Sequence, residues 1–518
     1  MPKFQEGQRV SNKLFIQVEQ LLFYGLRNSL IEKLDVEVVR NALWRRFGIE
    51  MDVDLLQVEE DVRYDIYALL NEMTQEMKLK GESLELLYQE EMLQAEIMSF
   101  LMPRNSDVNR LFWKHHQKSP EQATEYFYAL SNHSTYIRMD RVSKNISWKS
   151  NTDFGEMDIT INLSKPEKDP KEITLQKHAK PSVYPKCLLC LDNVGYSGNI
   201  NHPARHNHRV VEMVLAGEPW YFQYSPYVYY NEHAIVFCKF HRPMKIDRST
   251  FVRLCDFVDY LPHYFVGSNA DLHTVGGSIL SHDHYQAGNY EMPMMRANVR
   301  KSLKLSDDSD VEISILEWPL TVLKVVSTDK EAIVEVSERI LNQWINYSDE
   351  VLALISHTDE RHNTVTPILR KKGNQYEMFL ALRNNRKTVE HPDGLFHPHV
   401  EHHHIKKENI GLIEVMGLAV LPARLAEEVD LLVLALEKNH NTEGIDFDAL
   451  TKQSQLIKHL DWIKELEAEI LSTPPNELKA FFKKQIGLKF EGVLVDAGIH
   501  KNDYDQIWRF VQNLSVDH

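Results

Sequence analysis

Residues Val210–His241, VVEMVLAGEPWYFQYSPYVYYNEHAIVFCKFH, are dense in Val, Tyr and Phe. Such side chains suit a pleated, half-buried surface, so this stretch predicts an antiparallel sheet. A helical pattern follows in DRSTFVRLCDFVDYLPHYF, with Asp247 or Ser249 as caps and Pro262 near the end. After a turn at Gly276 and Gly277 comes SILSHDHYQAGNY, Ser278–Tyr290. If extended, it turns His282, His284 and Gln286 to one face and Asp283 and Tyr285 to the other.

Upstream, KLFIQVEQLLFYGLRNSLIEK repeats apolar residues at three-to-four spacing through Leu14, Val18, Leu21, Leu22, Leu26 and Leu30. DVEVVRNALWRRFGI and ESLELLYQEEMLQAEIMSFLM share that amphipathic character, and Pro103 interrupts the second. Their stripes read as the core of a helical accessory domain. From about Arg141 the texture changes: ISWKS, DITINLS and KEITLQK are short, β-branched and predict strands. Further on, NTVTPILRKKGNQYEMFLALRNN predicts a hairpin turning at KKGN. GLIEVMGLAVLPARLAEEVDLLVLALEK predicts a strand leading into a helix that begins near Pro422. The remainder, including QSQLIKHLDWIKELEAEIL and NDYDQIWRFVQNL, predicts helices. The class is α+β, divided as 1–140 (helical extension), 141–300, 301–435 and 436–518 (helical).

At 518 residues the chain exceeds one ordinary core. With 59 Lys plus Arg against 75 Asp plus Glu, its formal charge of −16 argues against a broad nucleic-acid surface. MPKFQEGQRV has no apolar signal core and no apolar run reaches membrane-spanning length, so no membrane partner is expected. Four cysteines do not make a disulfide framework. A cytoplasmic location is expected.

A neutral imidazole titrates near pH 6.5 and is a nucleophile around neutrality. A glutamine amide can hold a phosphate oxygen through its N–H groups. His284 and Gln286 are therefore the candidate reacting pair, although HxHxQ alone is a weak signal among 25 histidines. In KCLLCLDN the spacing of Cys187 and Cys190 lets two thiolates reach one metal ion, and two histidines such as His241 would complete a tetrahedral zinc site. Buried small hydrophobes and a redox pair are the alternatives for such a motif. Cys238 and Cys255 read as inert core residues.

The order CLLCLDNVGYSGNINHP, VFCKFH, FVGSNADLHTVGGSILSHDHYQ resembles the galactose-1-phosphate uridylyltransferases of the histidine-triad (HIT) superfamily, most closely their type 2 branch. The resemblance is clearest from Pro185 to Tyr290 and returns in GLIEVMGLAVLPARLAEEV. It departs from the type 1 pattern at Asp283, where those enzymes carry Pro, and at Ser278, where they carry Cys.

The resemblance implies two HIT-like antiparallel-sheet halves, a structural zinc held by Cys187, Cys190, His241 and His282, His284 as nucleophile and Gln286 as phosphate anchor. It implies exchange of UMP between UDP-glucose and galactose 1-phosphate through a uridylyl-histidine, with UDP-galactose as product, in a homodimer of galactose metabolism. Asn269, Ser278 and Ser281 become candidate substrate contacts, with ordinary loop hydrogen bonds as the alternative. A related nucleotide phosphorylase and a zinc-stabilised nucleotide-binding protein without turnover are the competing functions. Type 1 relatives can carry a second metal in their second half, which His402 and His404 in HPDGLFHPHVEHHHIKKEN would match. An exposed or sugar-phosphate-facing strand is the other reading of that tract, with Lys406 and Lys407 on a solvated charged face.

Overall fold

A computed structural model describes residues 6–49, 64–164, 170–178, 183–277, 279–305, 310–438, 444–500 and 503–514. Thirteen strands are present among them. They are β1 (Ile146–Thr152), β2 (Gly155–Ile161), β3 (Val211–Leu215), β4 (Glu218–Tyr224), β5 (Ala234–Cys238), β6 (Phe265–Gly267), β7 (His284–Gly288), β8 (Val299–Lys304), β9 (Glu312–Leu316), β10 (Val322–Ser327), β11 (Asn363–Lys372), β12 (Gln375–Asn384) and β13 (Leu418–Leu421). Ten form one sheet in the order β3-β4-β5-β7-β6-β11-β12-β10-β9-β8.

That order contains one pattern twice. In each half three strands meander, a helix crosses over, and the fifth strand inserts between the third and the fourth. The crossover helices are Arg248–Tyr260 and Lys330–Ile345. The halves meet through their fourth strands, where β6 pairs antiparallel with β11 and Gly267 stands opposite Ile368. The two antiparallel halves implied by the resemblance are thus fused edge to edge.

Strand alternation sends each face into a different core. Val236, Tyr285, Val266, Leu369, Met378 and Leu380 bury against both crossover helices and the helices between residues 14 and 137. Phe265, Ile368, Phe379 and Ala381 point the other way, into a core shared with β2, β13 and the helices of residues 424–497. One buried tryptophan on each side satisfies its indole N–H: Trp344 donates to the Thr364 carbonyl at 3.0 Å, and Trp318 to the Val415 carbonyl at 2.9 Å.

The N-terminal helices also close an exposed sheet edge. From the helix Asn105–His116, Asn105 accepts from the Val210 N–H at 2.9 Å and Asn109 from the Glu212 N–H at 2.7 Å. Unpaired edge groups that would template pairing with another chain are occupied in this way. Among the described residues no helix is long and apolar enough to cross a membrane.

Most predicted elements are present, including the hairpin β11–β12 and the helix capped by Asp247, whose side chain accepts from the Ser249 N–H at 3.0 Å. KEITLQK is a correction: it lies in a helix, Pro170–His178. A short run with two aliphatic residues satisfies either period, and here Glu172 sits in the first turn, the end that favours an acid. The helix expected near Pro422 starts at Arg424. The tract 391–409 is loop with a short 3-10 turn, Val400–His402, rather than a strand.

The seam between the halves tolerates little added volume. A Cβ on Gly267 would come within 2.9 Å of both Leu412 Cδ1 and the Pro367 carbonyl oxygen. Gly267→Ala is expected to lower stability by about 1–3 kcal/mol through overpacking, read as an earlier urea unfolding midpoint. An unchanged midpoint would show that the seam relaxes freely.

Candidate active site and metal centre

β5 and β7 run antiparallel with Phe237 opposite His284 and Ile235 opposite Gln286. The pairing continues past the strand ends, since Cys238 N–H donates to the Asp283 carbonyl at 2.9 Å and Asp283 N–H to the Arg242 carbonyl at 2.8 Å. His241 and His282 are therefore delivered to one end of the sheet, beside the loop carrying the cysteines. Cys187 and Cys190 Sγ are 3.5 Å apart. His282 Nδ1 lies 3.2 Å from Cys187 Sγ and 3.8 Å from Cys190 Sγ, and His241 Nδ1 lies 3.2 Å from Cys190 Sγ.

A tetrahedral zinc would need edges of about 3.8 Å between sulfurs and about 3.6 Å between sulfur and nitrogen. These four separations stand within a few tenths of an ångström of those figures, and all four donors lie within 4.8 Å of one another. Burial and the neighbouring Cys187 push the Cys190 thiol up to about 11, the cost of gathering thiols without a cation. Donor type, spacing and this electrostatic deficit all fit a thiophilic dication.

The centre is braced from behind. Asn193, buried, donates from Nδ2 to the carbonyls of Cys187 and Cys190, both at 2.8 Å, and its Oδ1 lies 2.7 Å from His202 Nε2. His282 Nε2 lies 2.8 Å from the Cys238 carbonyl. A carbonyl only accepts, so Nε2 carries the proton and Nδ1 faces the cysteines as a lone pair.

The same logic applied to His284 gives the opposite tautomer. Its Nδ1 is 2.8 Å from the His282 carbonyl, so Nδ1 is protonated and Nε2 holds the lone pair. Burial pushes its pKa down to about 4, only partly opposed by that carbonyl, so the ring is neutral near pH 7. Gln286 lies two residues along the same face. Close by, His233 donates from Nδ1 to the Tyr227 carbonyl at 2.6 Å. Burial pushes His233 down to about 4 as well. The Gln286 side chain acts on His233 as a hydrogen-bond partner, so the two side chains form one polar patch at the start of β5.

Asp283 takes the other face, as its position predicts. Its Oδ2 lies 3.3 Å from Arg242 Nε and 3.9 Å from Arg253 Nη1, while Tyr285 stacks on Trp220 with ring centroids 4.8 Å apart. Burial raises the Asp283 carboxyl to about 6 against the pull of both arginines. The segment joining His282 to His284 is thus anchored on the core side.

The remaining candidates divide. Asn269 is buried and its Oδ1 accepts from the Leu412 N–H at 2.9 Å, which fixes the orientation of its amide. Ser281 is exposed, and Ser278 lies outside the described residues. His402 and His404 do not converge as a metal pair: His402 Nδ1 lies 2.7 Å from Asp496 Oδ2, whereas His404 Nδ1 lies 2.8 Å from His459 Nδ1. Lys406 is buried against Glu414 at 3.0 Å, so it leaves the solvated face expected for it. Asn193, His202, His233 and the two arginines were not singled out from sequence. For Asn193 alone a local signal existed, its place three residues after Cys190.

Residues 53–243 match the family description "Galactose-1-phosphate uridyl transferase, N-terminal domain", and residues 257–442 match its C-terminal domain. A Caldanaerobacter subterraneus protein named galactose-1-phosphate uridylyltransferase is 47% identical over 494 residues, covering 94% of this chain and 94% of that protein. A Bacillus subtilis protein of the same name is 42% identical, covering 93% of this chain and 94% of its own. Among solved structures, yeast Ap4A phosphorylase Apa2 aligns with 59% of this chain and 90% of its own, at 12% identity and a TM-score of 0.30.

The bracing of the cysteine loop has a measurable consequence. Asn193→Ala is expected to weaken zinc binding about 10–100-fold, the usual effect of losing an outer-shell partner, in competition with a chromophoric chelator. Wild-type affinity in that variant would remove Asn193 from the centre.

Proposed function

The chain belongs to the galactose-1-phosphate uridylyltransferase family, and on that premise we propose that it exchanges UMP between UDP-glucose and galactose 1-phosphate through a covalent bond to His284. It is a nucleotidyltransferase. The observation that supports the covalent route is the fixed tautomer of His284, whose Nδ1 donates to the His282 carbonyl and leaves Nε2 as a neutral nucleophile.

In the first step His284 Nε2 attacks the α-phosphorus of UDP-glucose. The bond from that phosphorus to the bridging oxygen breaks, and glucose 1-phosphate leaves with the electron pair. In the second, a phosphate oxygen of galactose 1-phosphate attacks the same phosphorus, UDP-galactose departs and Nε2 regains its lone pair. One hard displacement becomes two easier ones with ping-pong kinetics. The Gln286 amide turns its N–H groups to a nonbridging phosphate oxygen and stabilises the redistributing charge. The N–H groups of Asn269 and the hydroxyls of Ser278 and Ser281 are the proposed further substrate contacts.

Cys187, Cys190, His241 and His282 would hold zinc, which with four protein donors supplies a structural pin rather than a Lewis acid. Residues 141–300 then carry the chemistry and 301–435 supply the second half of the sheet. The proposal extends to a homodimer acting in the cytoplasm in galactose metabolism. The free state of all four cysteines suits a reducing compartment.

Mixing the protein with UDP-glucose and no acceptor should yield a uridylyl mass adduct that is absent in His284→Ala. Gln286→Ala should form it about 10²–10³-fold more slowly, the effect of removing one preorganised donor. A zinc-loaded, folded wild type that forms no adduct would overturn the covalent route.

A further inference from the structure

Away from the reacting face, two distant parts of the chain bring a second set of metal-ligating atoms together. His399 and Glu401 come from the loop around the turn Val400–His402, and Asp496 from the last turn of the helix Leu478–Ala497. One donor atom from each lies within 4.8 Å of the others. His399 Nδ1 is 3.3 Å from Asp496 Oδ1 and 4.0 Å from Glu401 Oε1.

The hydrogen bonding around these atoms identifies what they face. His399 Nε2 lies 3.2 Å from the Leu395 carbonyl oxygen, so in the neutral ring Nε2 carries the proton and Nδ1 presents its lone pair to two carboxylates. A lone pair and two anions repel unless a cation stands among them. Among the described residues neither carboxylate has a Lys or Arg within ion-pair distance. Asp496 also sits at a helix C-terminus, the end that disfavours an anion and favours a cation.

The other oxygen of Asp496 is already committed. Its Oδ2 accepts from the His399 N–H at 2.9 Å and lies 2.7 Å from His402 Nδ1, which orients the carboxylate and leaves Oδ1 turned to the cluster. Gly492, one turn earlier on the same helix, makes that bracing possible: a Cβ there would stand 2.7 Å from His402 Nε2. A ligand carboxylate held by an outer-shell histidine is a usual feature of metal sites.

We propose that His399 Nδ1, Glu401 and Asp496 Oδ1 bind a first-row divalent cation, with water completing its shell. One imidazole and two carboxylates suit manganese and iron better than they suit the thiolate-selected zinc of the cysteine centre. The ion fastens the histidine-rich loop to the C-terminal helix.

The test starts from protein whose cysteine centre is loaded with zinc, titrated with Mn²⁺ and followed by electron paramagnetic resonance and calorimetry. Thiolates select zinc over manganese, so the two centres report separately. One Mn²⁺ per chain is expected, bound at least tenfold more weakly by Glu401→Gln and by His399→Gln. Mn²⁺ should raise the melting temperature of wild type and not of His399→Gln. The Glu401 side chain is 61% exposed, so its replacement leaves the fold intact and keeps the comparison interpretable. Binding of neither Mn²⁺ nor a second equivalent of Zn²⁺, or equal affinity in wild type and both variants, would overturn the site.

Discussion

Phe237 stands opposite His284 in the antiparallel pairing of β5 with β7, and that register ties the candidate metal centre to the proposed nucleophile. His241 follows one strand and His282 precedes the other, so both reach the cysteine loop because the strands are aligned. A shift by one residue would turn His284 and Gln286 into the helical core and Tyr285 out of it. The Trp220–Tyr285 stack and the arginines around Asp283 oppose such a slip from the core side. Asp283 is thus well suited to a position where type 1 enzymes carry a rigid proline. A buried carboxylate gripped by two guanidinium groups restricts the segment by tertiary contact, whereas a proline restricts it through its own ring.

Three buried imidazoles acquire different chemistry from the carbonyl each one touches. His282 gives its Nε2 proton to Cys238 and offers Nδ1 to the cysteines, while His284 gives its Nδ1 proton to His282 and keeps Nε2 free. His233 gives its Nδ1 proton to Tyr227. Because the His282 carbonyl orients His284, rigidity at the candidate metal centre would pass to the proposed nucleophile through a single residue. Loss of metal would act chiefly on the position of Nε2 rather than on its intrinsic basicity.

Much of this organisation was legible because it is written in local period and spacing. The alternation of SILSHDHYQ separates the reacting face from the core, and CLLC announces a pair of ligands. What escaped depends on partners far along the chain. Lys406 reads as solvated until Glu414 is brought against it, His404 until His459 arrives 55 residues later, and His402 until Asp496 arrives 94 residues later. KEITLQK fails for another reason: a run so short carries no period of its own, and its surroundings select the helix. The second metal expected at His402 and His404 follows from counting histidines in sequence, while the directions of their rings are set by two different helical neighbours.

The repeated strand order gives the second half a role in a site whose HxHxQ motif lies wholly in the first. Gln286 stands opposite Gly267, and Gly267 stands opposite Ile368 across the seam, so the strand carrying His284 and Gln286 is two strands from the other half. Asn269, just beyond that seam, uses its Oδ1 to hold the N–H of Leu412 at the start of the short helix Leu412–Val415. Its amide lies so close to Gly277 that a Cβ there would come within 2.7 Å of Nδ2. The glycine turn leading into SILSHDHYQ is therefore shaped against a side chain that the second half fixes. Two copies of one topology fused at their fourth strands place the reacting face at their junction. One copy can keep its face open for chemistry there because the other has its own face filled by β13 and the C-terminal helices.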